Sequence, residues 1–361
     1  MNTILILGGY GATGRLLTKH LLAETGHNLV IAGRSLEKAQ AFVDFLHNAR
    51  VTAKRVDAAD HLSLREALQQ VDFLLVAAPT THHTETVVCA ALEAGVDYLD
   101  VQYSDRKLEA LRAHEREIHQ KKLCFVTEAG YHPGLPSAMI RYAASKLDCI
   151  ESARTAGYLN MGNLQYTEAV DELMEGFIHY QAQVFKNGAW TRPSSWDMRK
   201  FDFGEEIGIK SAYSMFFEEL RCIPEMYPTL RDTGFYIAGS NLLADLILTP
   251  IIFVGLKIAP KRGIRPLGKL MWWGMGKSKP PYKVVLKVEA EGQLRGKPVQ
   301  VEASIEHEDG YELTAIPVVA FLKQYDRIRK PGLHMMGHLA EPERLFRDME
   351  QMGVRVRTSI H

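Results

Sequence analysis

A short apolar run, Thr3–Leu7, breaks on Gly8-Gly9-Tyr10-Gly11-Ala12-Thr13-Gly14 and is followed at once by Leu16, Leu17, Leu21 and Leu22 at helical spacing. Few arrangements constrain a chain more than a strand, a glycine loop and a helix in immediate succession. Gly9, Gly11 and Gly14 satisfy GxGxxG, and Gly8, Gly11 and Gly14 satisfy GxxGxxG. Either spacing serves the same physics. One glycine turns the chain sharply, Gly11 lets the backbone approach a pyrophosphate, and Gly14 lets the helix pack close to the strand. The N–H groups at the helix start then face the anion. The expected contacts are Gly9, Tyr10, Gly11, Ala12, Thr13 and Gly14.

The first 130 residues continue this rhythm. Apolar runs near 29–32, 51–56, 73–78, 98–101 and 123–127 alternate with amphipathic segments, which predicts parallel βαβ units in a doubly wound sheet. Beyond residue 135 the pattern changes. Helical spacing covers 139–147 and 167–185, and a strand is expected at 150–159. Residues 283–291 and 299–306 alternate around Gly292 and Gly296, which predicts an antiparallel hairpin, with a helix over 311–325. The expected fold class is α/β, an N-terminal Rossmann-type sheet followed by an α+β domain with an antiparallel or mixed sheet. The expected divisions are 1–130 for the dinucleotide domain, 131–315 for a substrate and dimerisation domain, and 316–361 for a helical return to the first domain.

The residue about 20 positions past the last glycine decides between cofactors. An acid there holds the ribose 2′-hydroxyl of NAD. Here it is Arg34, whose guanidinium suits a 2′-phosphate, with Ser35 beside it and Lys38 one helical turn on. NADP is therefore the expected cofactor. Asp57 after the third strand is placed at the adenine edge, and Ala77, Ala78 and Pro79 after the fourth border the cofactor.

At this point the chain resembles the saccharopine dehydrogenase-like NAD(P)-dependent oxidoreductases. The resemblance is carried by LGGYGATGR (7–15), AGRSLEK (32–38), AAPTTHHTETVVCAALEAGVDYLDV (77–101) and EAGYHPGLPS (128–137). It implies hydride transfer at a carbon–nitrogen bond of an amino-acid adduct, or a related reduction. After the fourth strand, Thr80-Thr81-His82-His83 departs from the saccharopine-cleaving pattern. Two other functions share the fold, a non-catalytic NADP-binding sensor and a membrane-docked lipid reductase.

Ligands of open α/β sheets sit beyond the C-terminal strand ends. His82 and His83 follow the fourth strand, Tyr103 and Asp105 the fifth, and Glu128, Tyr131 and His132 the sixth. His132 is the expected acid–base group, with His83 and Tyr131 as further catalytic candidates. A histidine in that role predicts a rate limb at about pH 6–7. The helix beginning near Leu135 offers its N-terminus to a substrate carboxylate. A rival acid is Tyr142, which with Lys146 spells YxxxK. His334 and His338 stand four apart, but flanking glycines weaken a helix there and no metal set is expected.

Lys plus Arg and Asp plus Glu both number 43, which argues against a nucleic-acid partner. Four dispersed cysteines fit a reducing compartment. The apolar run ending at Gly8 lacks a basic flank, so no secretory signal is expected and the cytoplasm is the expected location. Residues 246–288 contain nine bases and no acid, begin with an uncharged run and include Trp272 and Trp273. This stretch is read either as a peripheral membrane contact or as a buried helix beside a basic loop. The expected partners are a small-molecule substrate and a second copy of the chain.

Overall fold

In the computed structural model the described residues are all but 163–165, 179, 195–197, 240 and 242. The elements run β1 (Thr3–Leu7), α1 (Ala12–Glu24), β2 (Asn28–Gly33), α2 (Leu36–Leu46), β3 (Val51–Arg55), α3 (His61–Ala67), β4 (Phe73–Val76), α4 (Thr84–Ala94), β5 (Asp97–Asp100), α5 (Asp105–Ala113), α6 (Glu115–Gln120) and β6 (Cys124–Thr127). They continue with α7 (Leu135–Ala144), β7 (Cys149–Asn160), α8 (Glu168–Ile178), β8 (Val184–Lys186), β9 (Ala189–Thr191), β10 (Met198–Asp202), β11 (Ile209–Met215), α9 (Ile223–Met226), β12 (Asp232–Ala238), α10 (Thr249–Ile258), α11 (Ile264–Met275), β13 (Lys283–Leu294) and β14 (Lys297–His307). The last are α12 (Glu312–Ile328), β15 (Gly332–Met335), α13 (Met336–Leu339), α14 (Pro342–Gln351) and β16 (Arg355–Ile360).

The chain divides into two compact units, Met1–Gly134 with Thr314–Met349, and Leu135–Leu313 with Glu350–His361. The first holds a seven-stranded sheet in the order β15-β6-β5-β4-β1-β2-β3, every pairing parallel. β4, β5 and β6 are buried throughout, as strands covered by helices on both faces must be. Side-chain caps set the helix starts. The Ser35 oxygen accepts from Lys38 N, Asp60 from Leu62 N and Ser63 N, and Ser104 from Lys107 N. Strand order reverses between β1 and β4, which places the ligand crevice of such sheets beyond their C-terminal ends.

The returning C-terminal segment is bound into this unit at Asp97. That carboxylate accepts from Tyr325 Oη at 2.8 Å, Arg329 Nη2 at 2.9 Å and Cys124 N at 2.7 Å. The segment expected to be helical also contains two strands. β15 extends the first sheet beside β6, and β16 pairs antiparallel with β14 in the second. Their runs of four and six residues are too short for period-two alternation to stand out from the helical spacing around them.

The second unit carries a mixed nine-stranded sheet along β10-β11-β12-β7-β13-β14-β16, with β8 and β9 at its side. β13 and β14 form the expected hairpin, joined by Arg295-Gly296. The helix expected over 167–185 is shorter. α8 ends at Ile178, residue 179 lies outside the described residues, and Phe185 pairs with Thr233 in β12 instead. A π-helical turn at Leu243–Leu248 leads into α10. Its cause is Pro250, which has no N–H to continue an α-helical ladder.

Candidate functional site

The site is built at the C-terminal edge of the first sheet. Gly8 adopts φ +87°, where a side chain is strained, and a Cβ there would stand 2.7 Å from the Ala78 Cβ. β1 and β4 thus meet backbone to backbone. A Cβ on Gly14 would stand 2.2 Å from the Gly8 carbonyl oxygen, so Gly14 sets the approach of α1 to the loop. A Cβ on Gly11 would meet only Gly8 O, at 3.1 Å, with open space beyond. Gly11 is also the N-cap of α1, with no side-chain cap and no acid in the first turn. An open glycine before an uncapped helix N-terminus fits a pyrophosphate. Gly8 was absent from the expected contacts, although GxxGxxG contained it; only its φ and its contact with Ala78 show that it makes the sharp turn.

Tyr10 links this loop to the end of β2. Its hydroxyl accepts from Ser35 N at 3.1 Å, and its ring covers Gly33 so closely that a Cβ there would lie 2.6 Å from Cε1. Arg34 and Lys38 are exposed on the same turn. Ser35 accepts from Lys38 N as a cap, an arrangement that leaves its hydroxyl hydrogen available to a phosphate oxygen. This turn suits an added phosphate: two exposed cations and one hydroxyl. Asp57 follows β3, half-buried, and accepts from Ala59 N at 3.0 Å. Ala78 is half-buried and Pro79 exposed after β4.

Beyond β4, β5 and β6 lies a polar network that sequence reasoning missed. Asp100, wholly buried, accepts from Lys107 Nζ, from Thr127 Oγ1 at 2.9 Å and from Gln102 N at 3.2 Å. Lys107 also donates to the Gln102 carbonyl, and the Gln102 side chain accepts from Thr80 Oγ1 at 3.0 Å. An aspartate closing the buried strand Asp97–Asp100 was the available signal.

His82 and His83 are exposed, and His82 Nδ1 lies 2.8 Å from Arg106 Nη1. An arginine can only donate, so Nδ1 accepts and the imidazole proton sits on Nε2. Tyr131 and His132 are neighbours, with ring centroids 4.2 Å apart. Burial pushes the His132 pKa down to about 4 and the Tyr131 phenol above its ordinary value. Both are therefore neutral at pH 7, and a rate limb belonging to His132 falls near 4 rather than at about 6–7, because the buried imidazole loses the hydration that stabilises its charge.

One other expectation is corrected. The N-terminus of α7 is already occupied by the protein's own Glu219, which accepts from Ser137 N at 3.1 Å and from Ser137 Oγ. Lys146 lies over the Tyr142 ring at 4.7 Å, and the Tyr142 hydroxyl meets Thr358 Oγ1 at 3.2 Å, so this pair packs as a cation on a ring face. His334 lies in β15 and His338 in α13, not on one helical face. Among the described residues one set has metal-ligand types within reach of one another, Glu85, Cys89 and His114. It was not foreseen because its members come from α4 and from the junction of α5 and α6, far apart in sequence.

Comparison with known proteins agrees with this geometry. Residues 4–123 match the family described as the saccharopine dehydrogenase NADP binding domain. A saccharopine dehydrogenase [NADP(+), L-glutamate-forming] of Schizosaccharomyces pombe is 30% identical over 135 residues, 37% of this chain and 28% of that protein. A carboxyaminopropylagmatine dehydrogenase of Synechocystis sp. is 23% identical over 257 residues, 67% of this chain and 63% of that protein. The chain thus spans about a quarter and under two thirds of the lengths of these two relatives. The structure of the L-Glu-forming saccharopine dehydrogenase of Saccharomyces cerevisiae superposes with a TM-score of 0.71 at 14% identity, covering 100% of both chains, and shows the shared fold. Residues 4–123, about a third of this chain, are thus similar to the saccharopine dehydrogenase NADP binding domain.

Proposed function

We propose that the protein is an NADP-dependent oxidoreductase that moves a hydride to or from a carbon–nitrogen bond of a small amino-acid adduct. The observation that carries this is the junction of two anion-binding features in one unit: the open Gly11 at the uncapped start of α1, and the Arg34, Ser35 and Lys38 turn bound to it by Tyr10. Bound NADP supplies the hydride chemistry. The protein's part is to hold the pyrophosphate at Gly11–Gly14, the 2′-phosphate at Arg34, Ser35 and Lys38, and the adenine beside Asp57. Ala78 and Pro79 flank the dinucleotide where β4 ends.

His132 is the proton acceptor of this reading. A pKa of about 4 leaves it neutral at pH 7, the form that can accept a proton, and makes it a weaker base than a solvated histidine. Tyr131 packs on its ring and sets its orientation, and His83 stands at the rim. The names of the two relatives support this substrate class: saccharopine and carboxyaminopropylagmatine are both amines that bear amino-acid carboxylates. Assembly as a homodimer in the cytoplasm completes the proposal.

The test is NADPH oxidation with imines formed from 2-oxo acids or aldehydes and basic amino acids or agmatine, run beside calorimetric titration with NADP and NAD. Tight NADP binding with turnover on one of these imines is the expected outcome. Tight binding with no turnover on any of them favours a sensor, and weak binding of both dinucleotides refutes the site. Sedimentation at micromolar concentration tests the dimer.

A further inference from the structure

Hydride transfer gives no use to the acid-free stretch 246–288. From residue 243 to residue 258 the π-helical turn and α10 run on as one rod. One side of it, Ala244, Leu248, Ile252 and Leu256 at four-residue spacing, is buried; Leu248, Ile252 and Leu256 share a core cluster with Val170 and Met174 of α8. The opposite side is Ile247, Ile251, Val254 and Ile258, and all four are more than half exposed, Ile258 at 79%. A surface helix normally turns polar side chains to water, whereas this one is apolar on both sides.

The neighbouring α11 supplies charge. Arg265, Lys269, Trp273 and Lys277 follow one another at four-residue spacing and are all exposed, with the Lys277 ammonium 5.2 Å over the Trp273 ring. An open hollow lies along this row, lined by Tyr166, Lys269, Trp272, Trp273, Gly276 and Lys277. Two of the nine cations are neutralised, Lys283 by Glu206 and Glu306, and Lys287 by Glu289 and Glu302. The other seven are exposed and have no carboxylate partner among the described residues.

We propose that this face of the second unit docks on the surface of an anionic lipid bilayer, with Ile247, Ile251, Val254 and Ile258 in the acyl boundary and Lys269 and Lys277 against headgroup phosphates. The rod is about 24 Å long, short of the ~30 Å hydrocarbon core. Among the described residues no helix is long and apolar enough to cross a membrane, so the rod lies along the interface. A second copy of the chain is the poorer occupant. Self-pairing of this cation-rich stretch sets like charge against like charge, with no acid in it to answer. Anionic headgroups supply the opposite charge. The inference stands independently of hydride transfer.

Flotation of the full chain with vesicles tests it. Binding is expected to phosphatidylglycerol–phosphatidylcholine vesicles, to weaken as salt rises, and to be absent with phosphatidylcholine alone. The double variants Ile251→Glu/Val254→Glu and Lys269→Glu/Lys277→Glu should each lower the bound fraction about tenfold or more. Because all four side chains are exposed, melting temperature and NADP affinity should not change. The proposal is overturned if the wild type does not float with the anionic vesicles, or if either variant binds as well as wild type. It is also overturned if the wild type is a dimer that Ile251→Glu/Val254→Glu dissociates while neither protein binds vesicles, since the face is then an interface between copies.

Discussion

The Lys107 ammonium and the Asp100 carboxylate form an ion pair with both side chains out of solvent, 1% and 0% exposed. Their surroundings complete the pair. Thr127 Oγ1 and Gln102 N donate to Asp100, and Lys107 donates to the Gln102 carbonyl. Removing one partner leaves an uncompensated charge in a medium that solvates it poorly. Lys107→Met should therefore cost about 3–5 kcal/mol in denaturant unfolding. Adding Asp100→Leu to that variant should recover part of the loss, because the stranded carboxylate goes with it. A Lys107→Met protein as stable as wild type would show that water reaches Asp100.

Gly11 and Gly14 should fail differently. A side chain on Gly11 projects into the space kept for pyrophosphate, so Gly11→Val should abolish NADP binding in calorimetry and keep the wild-type melting temperature. A Cβ on Gly14 meets the Gly8 carbonyl oxygen at 2.2 Å, so Gly14→Ala must push α1 away from β1 and should lower the melting temperature as well. The same outcome for both variants would mean that the two glycines do not divide the work in this way.

Arg34 is assigned to the 2′-phosphate. Arg34→Asp replaces a charge-assisted pair, worth about 1.5–3 kcal/mol, with repulsion. NADP affinity should fall at least ~10-fold to 100-fold while NAD affinity changes little. Equal losses for the two cofactors would move the 2′-phosphate elsewhere.

His132 makes two predictions, one kinetic and one of stability. His132→Ala should lower turnover by about 10²–10⁴ with NADP affinity unchanged. For stability, burial holds the folded pKa at about 4, while an unfolded histidine titrates near ~6.5. Between those values the unfolded chain binds more protons. The contribution is therefore complete above about pH 6.5 and is lost as pH falls toward about 4. Urea midpoints measured across this window should drop less steeply for His132→Gln than for wild type.

The parts of this molecule visible in sequence are those where one local pattern does one job. β1, the glycine loop and α1 carry their periodicity and their glycines within residues 3–24, and Arg34 stands at a fixed distance from them. The hairpin of β13 and β14 shows itself by alternation over strands of twelve and eleven residues. What stayed hidden depends on distant partners. Asp100 and Lys107 are two ordinary charges until β4, β5 and β6 bring Thr80 and Thr127 beside them. Glu219 reaches the start of α7 from 82 residues away, and nothing near Ser137 announces it. The same holds for the imidazole of His132, whose low pKa comes from burial and not from its neighbours in sequence.

The parallel pairing of β15 with β6 brings together residues about two hundred positions apart, on either side of the long Leu135–Leu313 part of the second unit. During synthesis, then, the dinucleotide sheet waits unfinished on the ribosome while the middle of the chain emerges. Until Gly332–Met335 arrives, β6 offers one unpaired edge of backbone donors and acceptors to any strand it meets. A fragment ending at Gly134 keeps every cofactor contact assigned above and still retains that open edge. A fragment for studying nucleotide binding alone should therefore join residues 1–134 to 314–349 by a linker and not stop at Gly134.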